Sequence, residues 1–251
     1  MVVGHDHLGH GKTAKTPEDW GYFADGESPE ILIGDMNKLR TLSQEPDKPY
    51  FMLGHSMGSY LLRRYLSVYG GGLSGAVIMG TGANPDAVAK LGMAVCKAIA
   101  AFKGWKYRSP FMEKLFFSGD FQKFDMDGTH PENSWLTKDT EIVRFYYSEP
   151  RCTFKFTLKA YYDFLKTVYY VNRKENVEKI PKDLPILMVA GDCDPVGEFG
   201  KAVKRVYEMY KAAGINDVTL KLYENDRHEI LNETDKERVF DDIFNWCESR
   251  Q

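Results

Sequence analysis

Short apolar runs alternate along this chain with longer stretches whose apolar residues recur every three or four positions. Pro49-Tyr-Phe-Met-Leu53, Gly75-Ala-Val-Ile-Met79 and Leu184-Pro-Ile-Leu-Met-Val-Ala190 are continuous runs that suit buried strands. Val218, Leu220 and Leu222 alternate with Thr219, Lys221 and Tyr223, which predicts a further strand. Met1-Val-Val3 reads as the end of another. Helical spacing joins Ile31, Ile33, Met36, Leu39 and Leu42 after Pro29. It joins Tyr60, Leu61, Tyr65, Leu66 and Tyr69, a helix that Gly70-Gly-Gly72 closes. A helix is predicted over about 200–213. A last one carries Val239, Phe240, Ile243, Phe244 and Cys247 and is opened by a capping box at Thr234-Asp-Lys-Glu237. Strand and helix in alternation imply an α/β fold, a mostly parallel sheet with helices on both faces.

The rhythm breaks between 84 and 180. Helical segments replace strands there, and more than half of the chain's aromatic residues fall within 102–170. The expected organisation is an α/β core over 1–83, a helical cap over 84–180 and the rest of the core over 181–251. Most cap rings would pack the cap on the core. A few would line a pocket for an apolar substrate group.

Composition narrows the partners. A net charge of -3 argues against nucleic acid or an anionic membrane surface as an obligatory partner. No apolar run approaches the roughly 18 residues needed to span a bilayer. Cys96, Cys152, Cys193 and Cys247 are scattered without a C-x-x-C pair, which fits a reducing compartment and a cytoplasmic protein.

The chemistry centres on Gly54-His-Ser-Met-Gly58, a G-x-S-x-G between a predicted strand and a predicted helix. That context is the one a nucleophile elbow needs: the serine sits on a sharp turn, its hydroxyl above the sheet. Gly54 and Gly58 are expected to be small because strand and helix pass close to the turn. The Met57 amide, at the helix N-terminus, would face a developing oxyanion. Serine is a weak nucleophile without a base, and the base needs an acid to orient it. His228 follows the last strand and has no rival histidine in the final third of the chain. The acid is Asp192 or Asp194, both after the strand ending near Ala190; Asp194 is favoured because Pro195 biases its backbone away from helix. His5, His7 and His10 invite a zinc reading, but Gly9 stands where the zinc motif has an Asp, and the favoured reading is a tight loop with Asp6 bonding backbone amides.

Together, Gly54-His-Ser-Met-Gly58, Gly191-x-x-Asp194-Pro-Val-Gly197 and Arg227-His-Glu-Ile-Leu-Asn-Glu233 resemble the catalytic blocks of the monoacylglycerol lipase and bacterial lysophospholipase family, serine aminopeptidase S33-like hydrolases of the α/β-hydrolase fold. Asp6-His-Leu-Gly-His-Gly11 matches its D-x-x-G-x-G loop. Ser134-Trp-Leu-Thr-Lys-Asp139 and Cys152-Thr-Phe-Lys-Phe-Thr157 resemble cap segments of bacterial members. The resemblance implies a Ser56, Asp194, His228 triad, with Met57 giving one oxyanion amide. It implies hydrolysis of small-molecule acyl esters, monoacylglycerols or lysophospholipids, through an acyl-enzyme, with no cofactor and no metal. In the family a strand ending in a His-Gly oxyanion loop precedes the D-x-x-G-x-G strand, and this chain starts after it. The expectation is therefore an N-terminally truncated sheet, completed by rearrangement or by another chain such as a homo-oligomer partner, unless the natural protein is longer. Two other readings share these residues. One is an impaired hydrolase that only binds an apolar ligand. The other is a peptidase or acyltransferase using the same triad.

Overall fold

The structure, a computed structural model, describes residues 1–250. Four strands form one sheet in the order β1 (Phe51–His55), β2 (Gly75–Met79), β3 (Ile186–Gly191), β4 (Val218–Tyr223), all parallel. Before β1 lies helix α1 (Ser28–Ser43). Between β1 and β2 runs α2 (Met57–Tyr69). The long excursion from β2 to β3 holds α3 (Asp86–Lys103), α4 (Pro110–Phe116), α5 (Thr140–Ser148), the single turn α6 (Pro150–Thr153), α7 (Leu158–Val171) and the single turn α8 (Lys174–Val177). Then α9 (Lys201–Ala212) links β3 to β4, and α10 (Glu237–Glu248) ends the fold. No described helix is long and apolar enough to cross a membrane.

The continuous apolar runs predict strands buried on both faces, and the sheet has them. Ala76, Ile78, Ile186 and Met188 pack under Leu62, Leu66, Val203 and Tyr210 from α2 and α9. Their neighbours Val77, Met79, Leu187 and Val189 face Val239 and Trp246 of α10. Period-2 side chains thus feed two separate cores, and the helices on both faces follow from that alone. β1 is an edge of the sheet, and Leu53 on it is 48% exposed.

Four expectations are corrected. Met1-Val-Val3 is not a strand: it has no ladder partner, and Met1 and Val2 are almost wholly exposed. The capping box is absent, because α10 starts at Glu237 with Lys236 at its N-cap and no side-chain cap. The last-helix stripe is rotated. Val239 and Trp246 are buried, whereas Phe240 and Phe244 face outward. Leu42 of α1, expected on the core side, is also exposed, and Leu32 and Ile33 carry that contact instead.

Candidate active site

The elbow is built as its glycine pattern requires at one end only. A Cβ on Gly54 would stand 2.4 Å from the Gly58 carbonyl oxygen and 2.9 Å from Leu62 Cβ, so α2 can leave β1 this closely only past a glycine. A Cβ on Gly58 would meet open space, which corrects the expectation that both glycines relieve crowding. Ser56 has φ +52° and ψ -122°, a strained backbone for a residue with a side chain. Met57 opens α2, so its N–H is among the free amides of a helix N-terminus.

Asp194 and His228 converge from two different loops. Asp194 Oδ2 lies 2.9 Å from His228 Nδ1, and both side chains are buried. The Val196 N–H donates to the other oxygen, Asp194 Oδ1, at 2.8 Å. Asp192 does something else: its carboxylate accepts the Asn225 N–H at 2.8 Å and ties the β3 turn to the β4 turn. Burial opposes charge on His228, but the facing Asp194 carboxylate outweighs it and raises the imidazole above its ordinary range. His228 Nε2 is buried without a hydrogen-bond partner, so the Ser56 hydroxyl does not donate to it in this geometry. The close crossing of these loops depends on Gly191, where a Cβ would stand 2.1 Å from the Asp226 carbonyl oxygen and 2.3 Å from that of Arg227.

Sequence reasoning missed three supports. His55, half-buried beside the elbow, lies with its Nε2 3.1 Å from the His228 carbonyl and its ring 4.6 Å from the His228 ring. Burial, then the nearby His228 charge, lowers it to about 4, so it is neutral near pH 7 and Nε2 carries the proton it donates. Trp135 stacks on His228 at 5.0 Å between ring centroids, with 30° between planes. Third, a polar clamp holds the histidine loop. The fully buried Glu233 carboxylate accepts from Arg227 N–H, Lys138 N–H and the Thr137 hydroxyl at 2.8, 3.0 and 3.0 Å. The Arg227 guanidinium donates to the carbonyls of Ser134, Thr137 and Glu132. Only the spacing of Arg227 and Glu233 around His228 hinted at this in the sequence.

Among the described residues, one group of carboxylates is close enough to invite a cation: Asp226, Glu233 and Asp235. The Lys138 ammonium lies among them, at 2.7, 3.8 and 3.6 Å, and Arg238 adds ion pairs to Asp226 and Asp235. His5, His7 and His10 form no such group. Asp6 accepts the Lys12 N–H at 2.8 Å, as expected of a loop-forming aspartate. Burial, reinforced by the charges of His5 and His10, lowers His7 to about 4.

A cavity of about 1550 Å³ opens over the elbow. Ser56 and Met57 line it together with Val88, Leu91, Phe116 and Phe164, and it continues along the outer edge of β1 past Leu53.

A strained serine between strand and helix, a buried Asp–His pair on the loops after two later strands, and a parallel sheet: these are the features of the α/β-hydrolase fold, and the chain is a hydrolase of that class. The family described as serine aminopeptidase, S33, matches residues 1–235, and the chain belongs to it. It is 26% identical to a monoacylglycerol lipase of Mycolicibacterium smegmatis, over 99% of this chain and 78% of the lipase. It is also 26% identical to a monoglyceride lipase of Mus musculus, over 100% of this chain and 74% of that protein. Among solved structures, a thermostable carboxyl esterase from Bacillus coagulans in complex with glycerol superposes with a TM-score of 0.85 at 31% identity, covering 98% of this chain and 79% of the esterase. These findings bear out the expected family and fold and support a carboxylic ester hydrolase.

Proposed function

We propose that the protein hydrolyses carboxylic esters of a single acyl chain, monoacylglycerols or lysophospholipids, through an acyl-enzyme on Ser56. The observation that carries this reading is the Asp194–His228 bond of 2.9 Å, which leaves a buried, unpartnered Nε2 on the ring edge away from the acid, in a chain whose elbow carries Ser56. His228 takes the Ser56 hydroxyl proton at Nε2 as the oxygen attacks the substrate carbonyl carbon. The Met57 amide receives the developing oxyanion. Collapse breaks the ester C–O bond, and His228 returns the proton to the departing alcohol oxygen. Water then gives a proton to His228 as its oxygen attacks the acyl carbon; collapse breaks the bond to Ser56 Oγ, which takes that proton back from His228 as the acid leaves. Asp194 holds the Nδ1–H tautomer and steadies the imidazolium throughout.

The acyl chain is assigned to the apolar cavity, whose walls include residues of α3, α4 and α7. We assign the segment 84–180 the role of a cap over the elbow. The four cysteines are free thiols, which suits a cytoplasmic, reducing setting. The peptidase and acyltransferase readings use the same three residues and differ only in acyl donor and acceptor.

A fluorophosphonate probe tests the assignment. It labels the native protein and not Ser56→Ala, and Ser56→Ala loses at least about 10⁴-fold in p-nitrophenyl ester turnover. Equal labelling of both proteins removes Ser56 from the mechanism. Binding of a fatty acid without labelling or product burst would leave a protein that only binds apolar ligands. Faster turnover of aminoacyl anilides than of esters would make it a peptidase.

A further inference from the structure

The imidazolium that forms on His228 during turnover is buried, and burial penalises it. Asp194 answers this charge only at the Nδ1 edge of the ring. The ring also has a face, and Trp135 lies against it at 5.0 Å and 30°. An indole face is electron-rich and attracts a cation within about 6 Å of its centre. We propose that Trp135 is a positioning residue for the reaction: its ring holds the His228 imidazole in register with Ser56 and stabilises the imidazolium through a cation–π contact.

The backbone around Trp135 has the architecture this role needs. The His228 N–H donates to the Trp135 carbonyl at 3.4 Å, and the Glu229 N–H donates to that of Leu136 at 2.8 Å. Two consecutive residues of one loop thus pair with two of the other, which sets ring opposite ring. The Arg227 guanidinium and the Glu233 carboxylate fasten the same segment from either side. Behind the indole stand Phe121 and Phe117, at 5.3 and 6.1 Å, so it has little room to swing away. Other titratable groups facing His228 are few. Asp194 and Glu229 raise its pKa, while His55, on the elbow side, is neutral above about pH 4. Arg227 and Lys138 are engaged with Glu233, Asp226 and the carbonyls of 132–137. Of these groups only His55 also brings a ring to His228, at 4.6 Å and 41°, and a neutral imidazole is a weaker partner for a cation than an indole. Trp20, Trp105 and Trp246 meet other rings, those of Phe154, Tyr162 and Phe51.

This inference rests on the triad reading above, and the test keeps the two apart. The pH profiles of kcat and of kcat/KM are measured on a soluble short-chain ester for the native protein, Trp135→Phe and Trp135→Leu. In Trp135→Leu the acid-limb pKa falls by about half a unit to one and a half units, with kcat roughly 3- to 30-fold lower. Trp135→Phe, which keeps a weaker ring face, falls between the two. Replacing the tryptophans with 5-fluoro and then more highly fluorinated tryptophan preserves shape and drains the ring face, so kcat decreases stepwise with fluorine count. That series decides the matter if Trp135→Leu does not fold. A raised KM with an unmoved acid limb would make Trp135 a wall of the cavity and nothing more. Phe and Leu variants with identical profiles, or a flat fluorine series, overturn the proposal. An inactive, unlabelled native protein would instead strike the triad reading itself.

Discussion

The histidine loop and helix α3, which helps line the cavity, are held by opposite means. Around His228 the groups are polar, buried and paired. Asp194, Asp226, Glu233 and His228 are all almost inaccessible, and each carboxylate has a named donor. Helix α3 has almost none of this. Its inner face of Ala89, Gly92, Cys96 and Ala100 packs on Leu158, Tyr161 and Leu165, and its outer face leaves Val88, Leu91 and Phe102 exposed, Phe102 at 88%. One ion pair, Asp86 with Arg173, ties its first turn. Directional, charge-assisted bonds fix a group to a fraction of an ångström, which proton transfer needs. Apolar contacts fix volume but not direction, and an acyl chain needs only volume. The difference suits one side to chemistry and the other to substrate of variable shape.

Breaking the polar side should have the largest effect. Glu233→Ala removes the acceptor of two backbone N–H groups and the Thr137 hydroxyl. The expected cost is about 3–5 kcal/mol in denaturant unfolding, with lost turnover in the folded fraction. A cost below about 1 kcal/mol would mean that the clamp is not what fixes the loop.

Acid should come next. His55 and His7 titrate near 4 when folded, against 6.5 for a free imidazole. Between these values the unfolded chain binds more protons, so stability is full above about 6.5 and drains away as pH falls towards 4. His228, raised when folded, works the other way: its contribution is present below 6.5 and is lost as pH rises through its folded value. His55→Gln should reduce the acid slope by up to about 1.4 kcal/mol per pH unit. An unchanged slope in urea titrations across that window would clear His55 of the role.

The smallest effect belongs to α3. Phe102→Ser should alter stability by less than about 0.5 kcal/mol and leave turnover of a soluble ester unchanged. A loss comparable to that of Glu233→Ala would erase the contrast between the two sides.

Much of this molecule was legible in order along the chain. Strands β2 to β4 and helices α2 and α9 lie where the apolar pattern puts them, because burial on two faces or one stripe writes a period into the residues. The elbow was legible because Gly54 and Ser56 are local: a turn of five residues carries its own steric demands. Thr234 misled because Glu233 and Asp235, on either side of it, are drawn off to Arg227, Lys138 and Arg238. No local pattern announces a partner 95 residues away.

The sequence by itself determined the strand–helix alternation and the elbow, and singled out His228 as the candidate base. Only the tertiary structure set Asp194 rather than Asp192 against His228, brought Trp135 and His55 beside the imidazole, and turned three carboxylates towards one lysine. The reason is range. Periodicity and turn chemistry act between residues a few positions apart and leave their mark in composition, whereas an ion pair or a ring stack depends on where two distant loops happen to cross.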